Sequence, residues 1–197
     1  MSDFFAVFGL ERRLTVDLEA LQRRFYELSR RWHPDFHQAA PAEEQARVLE
    51  ESARLNAAYR ALRDPLARVD YLIRLEHGRD THEGVTVKAK APPALLAEMF
   101  EIQEALEEAR GGLDDATRAS LAARRDALQA RMAETEARIG GPLSQAWDAA
   151  APDQRPAALG ALEEALATRA YLRTVIDDLG TALAEPGGER HVAHRRD

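Results

Sequence analysis

His33 and Asp35 place an imidazole and a carboxylate two residues apart, with Pro34 between them. Together with His37 they could form a catalytic or metal-binding group. A metal wants several convergent ligands, however, and no other His, Cys or acidic cluster in the chain has ligand spacing. A bare tripeptide of this kind is also an ordinary turn. The sequence on either side sets this one apart. Upstream, Leu18, Leu21, Phe25, Leu28 and Trp32 recur at steps of three and four, the period of one helical face, and Arg23, Arg24, Arg30 and Arg31 lie off it. Pro34 lacks a backbone donor and disfavours helical geometry at His33, so the helix is expected to stop near Trp32. Downstream, Pro41 with Glu43 and Glu44 behind it opens a second helix carrying Leu49, Ser52, Ala53, Asn56, Tyr59 and Leu62. The two polar groups then stand on a short loop between antiparallel helices, beside an arginine-rich face.

That loop needs a frame, and the rest of the chain reads as helices. Phe4 to Leu10 is a short first helix ending at Gly9, and Thr15 or Asp17 caps the second. Pro65 opens a further helix with Leu66, Val69, Leu72, Ile73 and Leu75, closed by Gly78. Residues 78–91 lose the period and read as a linker. Pro92-Pro93 restarts helix, Gly111-Gly112 breaks it, Gly140-Gly141-Pro142 breaks it again, and a last helix runs from about Pro156 to Leu183. The expected fold is all-α. Residues 1–77 form a helical hairpin with its loop and a C-terminal helical extension, and residues 92–185 an antiparallel three-helix bundle. Residues 186–197, rich in His and Arg, are expected to be a disordered tail.

Composition agrees. Hydrophobic residues make up 45% of the 197, enough for real cores, while 6% aromatic content and abundant Ala, Leu, Glu and Arg favour bundles. There is no cysteine, hence neither disulfide nor thiolate ligand. No stretch approaches the roughly 20 apolar residues of a membrane span. The first residues enter a helix without a signal peptide or Arg-rich presequence, which leads us to expect a cytoplasmic protein. A net charge of −7 argues against generic nucleic-acid binding. On so acidic a chain, Arg23, Arg24, Arg30 and Arg31 make a local basic patch suited to an acidic protein partner, where charge sets encounter rate and orientation. The plainer reading is a solvated face with Glu27 as partner.

The helix from Pro92 to Glu108 carries two apolar strips. Leu95, Met99, Ile102 and Leu106 form a seam for bundle packing, and Leu96 and Phe100 project about 100–140° away from it. Glu101, Glu104 and Glu108 lie beyond them. On the last helix, Leu162, Leu166, Leu172, Ile176, Leu179 and Leu183 form the core side, and Tyr171 points nearly opposite. A spare apolar strip edged by carboxylates suits an exposed interaction patch. A small bundle that buries two faces of one helix would use it up instead.

Residues 3–63 resemble a J-domain, the module with which co-chaperones stimulate the ATPase of heat-shock-70-type chaperones. The resemblance lies in Asp3-Phe4-Phe5-Ala6-Val7-Phe8-Gly9-Leu10, the arginine-rich helix, His33-Pro34-Asp35, and Leu55-Asn56-Ala57-Ala58-Tyr59 with Leu62 and Asp64-Pro65. Arg68-Val69-Asp70-Tyr71-Leu72 and an acidic helical C-terminal half narrow it to the HscB family of iron–sulfur cluster biogenesis. The resemblance implies a non-enzymatic adaptor without cofactor or metal. Its chaperone-docking residues would be His33, Pro34, Asp35, Arg23, Arg24, Arg30 and Arg31, facing an HscA-like chaperone. Its scaffold-binding residues would be Leu96, Ala97, Phe100, Glu101, Glu104, Glu108 and Tyr171, facing an IscU-like scaffold that holds the cluster. A J-domain adaptor for a different client, such as unfolded chains, is the alternative, and self-association is possible but not indicated. The chain departs from many J-domains at Phe36, which stands where they carry a cation.

Overall fold

The computed structural model describes residues 3–78, 93–108 and 114–184, and every element among them is helical. Eight α-helices follow in order: α1 (Phe4–Val7), α2 (Leu18–Arg31), α3 (Ala42–Arg63), α4 (Pro65–Glu76), α5 (Pro93–Glu108), α6 (Asp115–Arg138), α7 (Ser144–Ala149) and α8 (Arg155–Ala184). A 3-10 turn, Pro34–His37, lies between α2 and α3. The linker expected at 78–91, the Gly111-Gly112 break and the tail at 186–197 fall outside the described residues, apart from Gly78.

Helix boundaries follow local chemistry. The carboxylates of Asp3, Asp17 and Asp64 accept hydrogen bonds from the N–H groups of Phe5, Ala20 and Ala67, capping α1, α2 and α4. Pro65 occupies the first turn of α4, where its missing N–H costs nothing. Gly9 and Gly78 end α1 and α4 with φ of 67° and 61°, left-handed backbone that a side chain would strain.

Contacts divide the chain into two units, one of Met1–Lys88 with Ala137–Leu166, the other of Ala89–Glu136 with Ala167–Asp197. Residues 137–166 therefore group with the N-terminal part, whereas the sequence reading assigned all of 92–185 to one bundle. Helices α6 and α8 contribute residues to both units.

In the first unit α2 and α3 form the expected hairpin. The Phe25 and Tyr59 rings stack across it with centroids 4.1 Å apart, and Leu21, Leu55, Ala58 and Leu62 are buried. Tyr71 of α4 is buried, stacks on Phe4 at 4.5 Å and accepts a 2.8 Å hydrogen bond from the Phe4 N–H through its hydroxyl. Burial raises its phenol pKa above the ordinary value. Ile139, Trp147 and Leu162 complete this core from the far end of the sequence. Beside them the Asp148 carboxylate accepts hydrogen bonds from the backbone N–H groups of Leu14 (2.7 Å) and Thr15 (2.8 Å).

The break expected at Gly140-Gly141-Pro142 does not occur there. The chain passes from α6 to α7 through a π turn, Ile139–Leu143, that encloses Pro142. A widened turn avoids the clash a proline ring makes with the carbonyl four residues earlier and leaves no ordinary helical bond to lose. The Ser144 hydroxyl donates to the Ile139 carbonyl at 2.5 Å. The helix ends at Ala150, whose backbone is extended, two residues before Pro152.

The second unit packs Ile102 of α5, Leu121 and Leu128 of α6, and Leu172, Val175, Ile176 and Leu179 of α8. Ion pairs brace its surface: Arg131 to Glu98 at 2.8 Å and Arg169 to Glu136 at 2.6 Å. The Arg118 guanidinium donates to the Leu183 carbonyl near the end of α8.

If residues 137–166 help hold the N-terminal unit, Trp147→Ala should cost about 3–5 kcal/mol of stability. Asp148→Ala should cost about 1–3 kcal/mol by stranding two N–H groups. Urea unfolding followed by circular dichroism reads both. Unchanged midpoints would show that this segment contributes nothing there.

Candidate functional sites

At the end of α2 the helix stops as the proline requires, with Trp32 as its last half-turn and His33 in extended backbone at φ −78° and ψ 127°. Pro34 then starts the 3-10 turn. The His33 carbonyl accepts from the Phe36 N–H at 3.1 Å, and its Nδ1 accepts from the Asp35 N–H at 3.2 Å. An accepting Nδ1 assigns the proton of the neutral ring to Nε2, which faces outward as a donor. The Asp35 carboxylate lies 3.6 Å from His33 Nδ1 and, like His33, is exposed. The loop thus offers one donor and one anion at its surface. Gln45 of α3 braces it from behind, donating to the carbonyls of Gln38 (3.0 Å) and Ala40 (2.9 Å).

His37 does not join His33 and Asp35. Its Nε2 lies 3.1 Å from the Arg31 carbonyl and its Nδ1 3.5 Å from Glu44, so it ties the turn to α2 and α3. Among the described residues no three His, Cys, Asp or Glu side chains are grouped to hold a metal.

Arg23, Arg24, Arg30 and Arg31 are all exposed. Arg23 pairs with Glu19 at 3.6 Å and Arg24 with Glu27 at 3.0 Å, both within α2. Glu27 was expected as a partner, and Glu19 was not. Exposed pairs of this kind contribute little to stability and leave the guanidiniums able to exchange partners. Arg31 lies over the Trp32 ring, its guanidinium carbon 5.3 Å from the centroid, and Arg47 of α3 sits 5.5 Å from the same centroid.

On α5 the two strips separate as helical geometry requires. Ile102 is buried and Met99 half-buried on the seam, while Phe100 is 70% exposed and Leu96 40%. Ala97, Glu101 and Glu104 are exposed beside them. The side chains of Leu95, Leu106 and Glu108 lie outside the described residues. Tyr171 departs from expectation, being half-buried and packed against the core of the second unit. The cause is Val175, buried at one turn's distance and only about 40° further round the helix, which widens the core face toward Tyr171.

Sequence reasoning also missed two groups that hold the first unit. Asp148 gave no local signal, being one carboxylate in an Ala-rich stretch. Arg68 is buried, and its guanidinium donates to the Leu62 carbonyl; burial pulls its pKa below the ordinary value, opposed by the charges of Asp64 and Asp148.

Residues 91–155 match the family model of the HSCB C-terminal oligomerisation domain. The chain is also similar to two solved structures. Chaperone HscB from Vibrio cholerae shares 25% identity with a TM-score of 0.53, over 90% of this chain and 99% of that one. Human co-chaperone protein HscB shares 24% identity with a TM-score of 0.60, over 92% of this chain and 82% of that one, a likeness of fold. An exposed His-Pro-Asp loop at one end of the sequence, the family match over residues 91–155 and the likeness to the Vibrio cholerae chaperone together support an HscB-type co-chaperone.

Proposed function

We propose that this protein is a cytoplasmic adaptor of iron–sulfur cluster assembly. It stimulates the ATPase of an HscA-like heat-shock-70-type chaperone and delivers an IscU-like scaffold protein to it. The observation that carries the reading is the exposed loop. His33 and Asp35 project into solvent as a hydrogen-bond donor and an anion on a braced turn, and among the described residues no metal-ligand cluster joins them. Such a pair acts by binding. If it fits the ATPase-competent arrangement of the chaperone better than the resting one, docking shifts that equilibrium by the difference in affinity. Arg30 and Arg31, close to the loop, and the exchangeable Arg23 and Arg24 would steer an acidic chaperone surface into register.

The scaffold would dock on α5 through Leu96, Ala97, Phe100, Glu101 and Glu104, with Glu108 extending the acidic edge. Phe100 supports this reading most, because a phenyl exposed to 70% contributes little to the fold. Tyr171 would act less by direct contact than by supporting the second unit from its half-buried position. With no cysteine in the chain, the cluster itself would remain ligated by the scaffold.

In single-turnover assays, His33→Gln and Asp35→Asn should each abolish ATPase stimulation while melting temperature stays near wild type. Stimulation retained by both variants would refute the docking reading. Arg23→Ala and Arg24→Ala should slow association more than they speed dissociation, and added salt should shrink that difference. Rates indifferent to both would mean the arginine face is merely solvated.

Phe100→Ala should weaken binding of the scaffold by about 1–3 kcal/mol, roughly five- to 150-fold, as loss of a central aromatic contact does. Calorimetric titration measures it. The variant should fold normally and still stimulate basal ATPase, because the loop belongs to the other unit. Loss of folding stability near the roughly 3–5 kcal/mol of a core phenylalanine would misplace the patch. Equal binding to denatured proteins would favour a general client instead.

A further inference from the structure

Phe36 is the residue of the loop that its hydrogen bonds and charges leave unexplained. It lies in the 3-10 turn directly after Asp35 and is 69% exposed; among the described residues only Phe100 exceeds it as an exposed large apolar side chain. It belongs to neither hydrophobic core. Its one ring contact is with His33, centroids 5.8 Å apart and planes at 63°, an edge-on arrangement within the favourable range for aromatic pairs. Its own N–H donates to the His33 carbonyl at 3.1 Å. Backbone and ring of one residue therefore grip His33 at two points. A third comes from the Asp35 N–H on Nδ1. With the imidazole held on both its Nδ1 side and its face or edge, Nε2–H is left as the ring's outward donor.

Most of the Phe36 ring nevertheless remains in water, beside the groups that the proposed reading assigns to docking. Hydration of an apolar ring there is relieved only by whatever covers the loop. We infer that Phe36 is a specificity-determining contact of this chain with its chaperone. The ring orients the His33 imidazole and inserts into an apolar recess on the chaperone surface. The inference rests on the reading of this loop as the chaperone-docking site and adds the chemistry of the partner. A cation at this position would call for a carboxylate opposite it. Phe36 calls for an uncharged, apolar wall, with the counter-groups for Asp35 and His33 Nε2–H immediately alongside.

The test titrates the full-length protein into an HscA-like chaperone and reads half-maximal concentration and maximal ATPase rate separately. Phe36→Ala and Phe36→Lys should raise the half-maximal concentration about five- to tenfold, the size expected for a lost aromatic contact, and leave the maximal rate less affected. Phe36→Tyr should stay within about twofold of wild type, because it keeps the ring. Phe36→Leu should recover part of the affinity. In the free protein, the His33 ring resonances should shift in the Ala, Lys and Leu variants and remain near wild type in the Tyr variant. Titrations of the Ala and Lys variants that overlay the wild type would overturn the docking contact. Unmoved His33 resonances in the Ala variant would overturn the positioning role. A wild-type protein without stimulation, matching His33→Gln, would overturn the loop reading itself, and with it this contact.

Discussion

The stacking of Phe25 on Tyr59 is the contact on which the exposed chemistry of this protein depends. A loop of this length cannot hold its own shape, because backbone ordering costs on the order of 1–2 kcal/mol per residue and the turn contributes few contacts of its own. The α2–α3 hairpin supplies the frame instead. The two rings lie 4.1 Å apart, with Leu21, Leu55, Ala58 and Leu62 buried in the same core. Trp32 and Pro41 are thereby set at a fixed separation, and the intervening residues form a loop built on one 3-10 turn, Pro34–His37, and braced by Gln45 and His37. His33 and Asp35 are presented by a hairpin core to which neither side chain belongs.

That arrangement fits the adaptor role proposed above. A general base or a metal ligand works through groups converging on one reacting atom, often in a shielded site. Here the imidazole and the carboxylate lie 3.6 Å apart and are both exposed, and among the described residues no three potential metal ligands converge. Polar groups so placed are open to whatever docks against them. The same logic governs α5, where one strip of the helix is spent on the seam and the other, with Phe100 at its centre, is left outward.

The first unit is completed by residues that lie far away in the chain. Asp148 reaches the N–H groups of Leu14 and Thr15 across sequence separations of 134 and 133 residues, and Trp147 and Ile139 fill the core beside them. The π turn makes this reach feasible, since it carries the helix past Pro142 and into α7 rather than ending it at the glycines. An N-terminal hairpin domain is thus closed by part of what looks, from sequence, like the C-terminal bundle.

What the sequence determined by itself was local. Periodicity, proline and glycine positions and aspartate caps specify each helix and the loop between α2 and α3, because they act within a few residues and owe little to the rest of the chain. The outward strip of α5 was legible for the same reason: the angle between Leu96, Phe100 and the Ile102 seam is a property of one helix. Tertiary structure alone decided which faces meet. Tyr171 reads as outward until Val175 widens the buried side of α8, and Asp148 reads as one more surface carboxylate until α7 brings it to the loop before α2. Glycine and proline at 140–142 signal a break, and only the packing of Ile139 and Trp147 makes a widened but continuous turn the lower-energy course. A helical period says which side of a helix is apolar. Which partner that side finds depends on contacts between distant segments, and no local pattern encodes them.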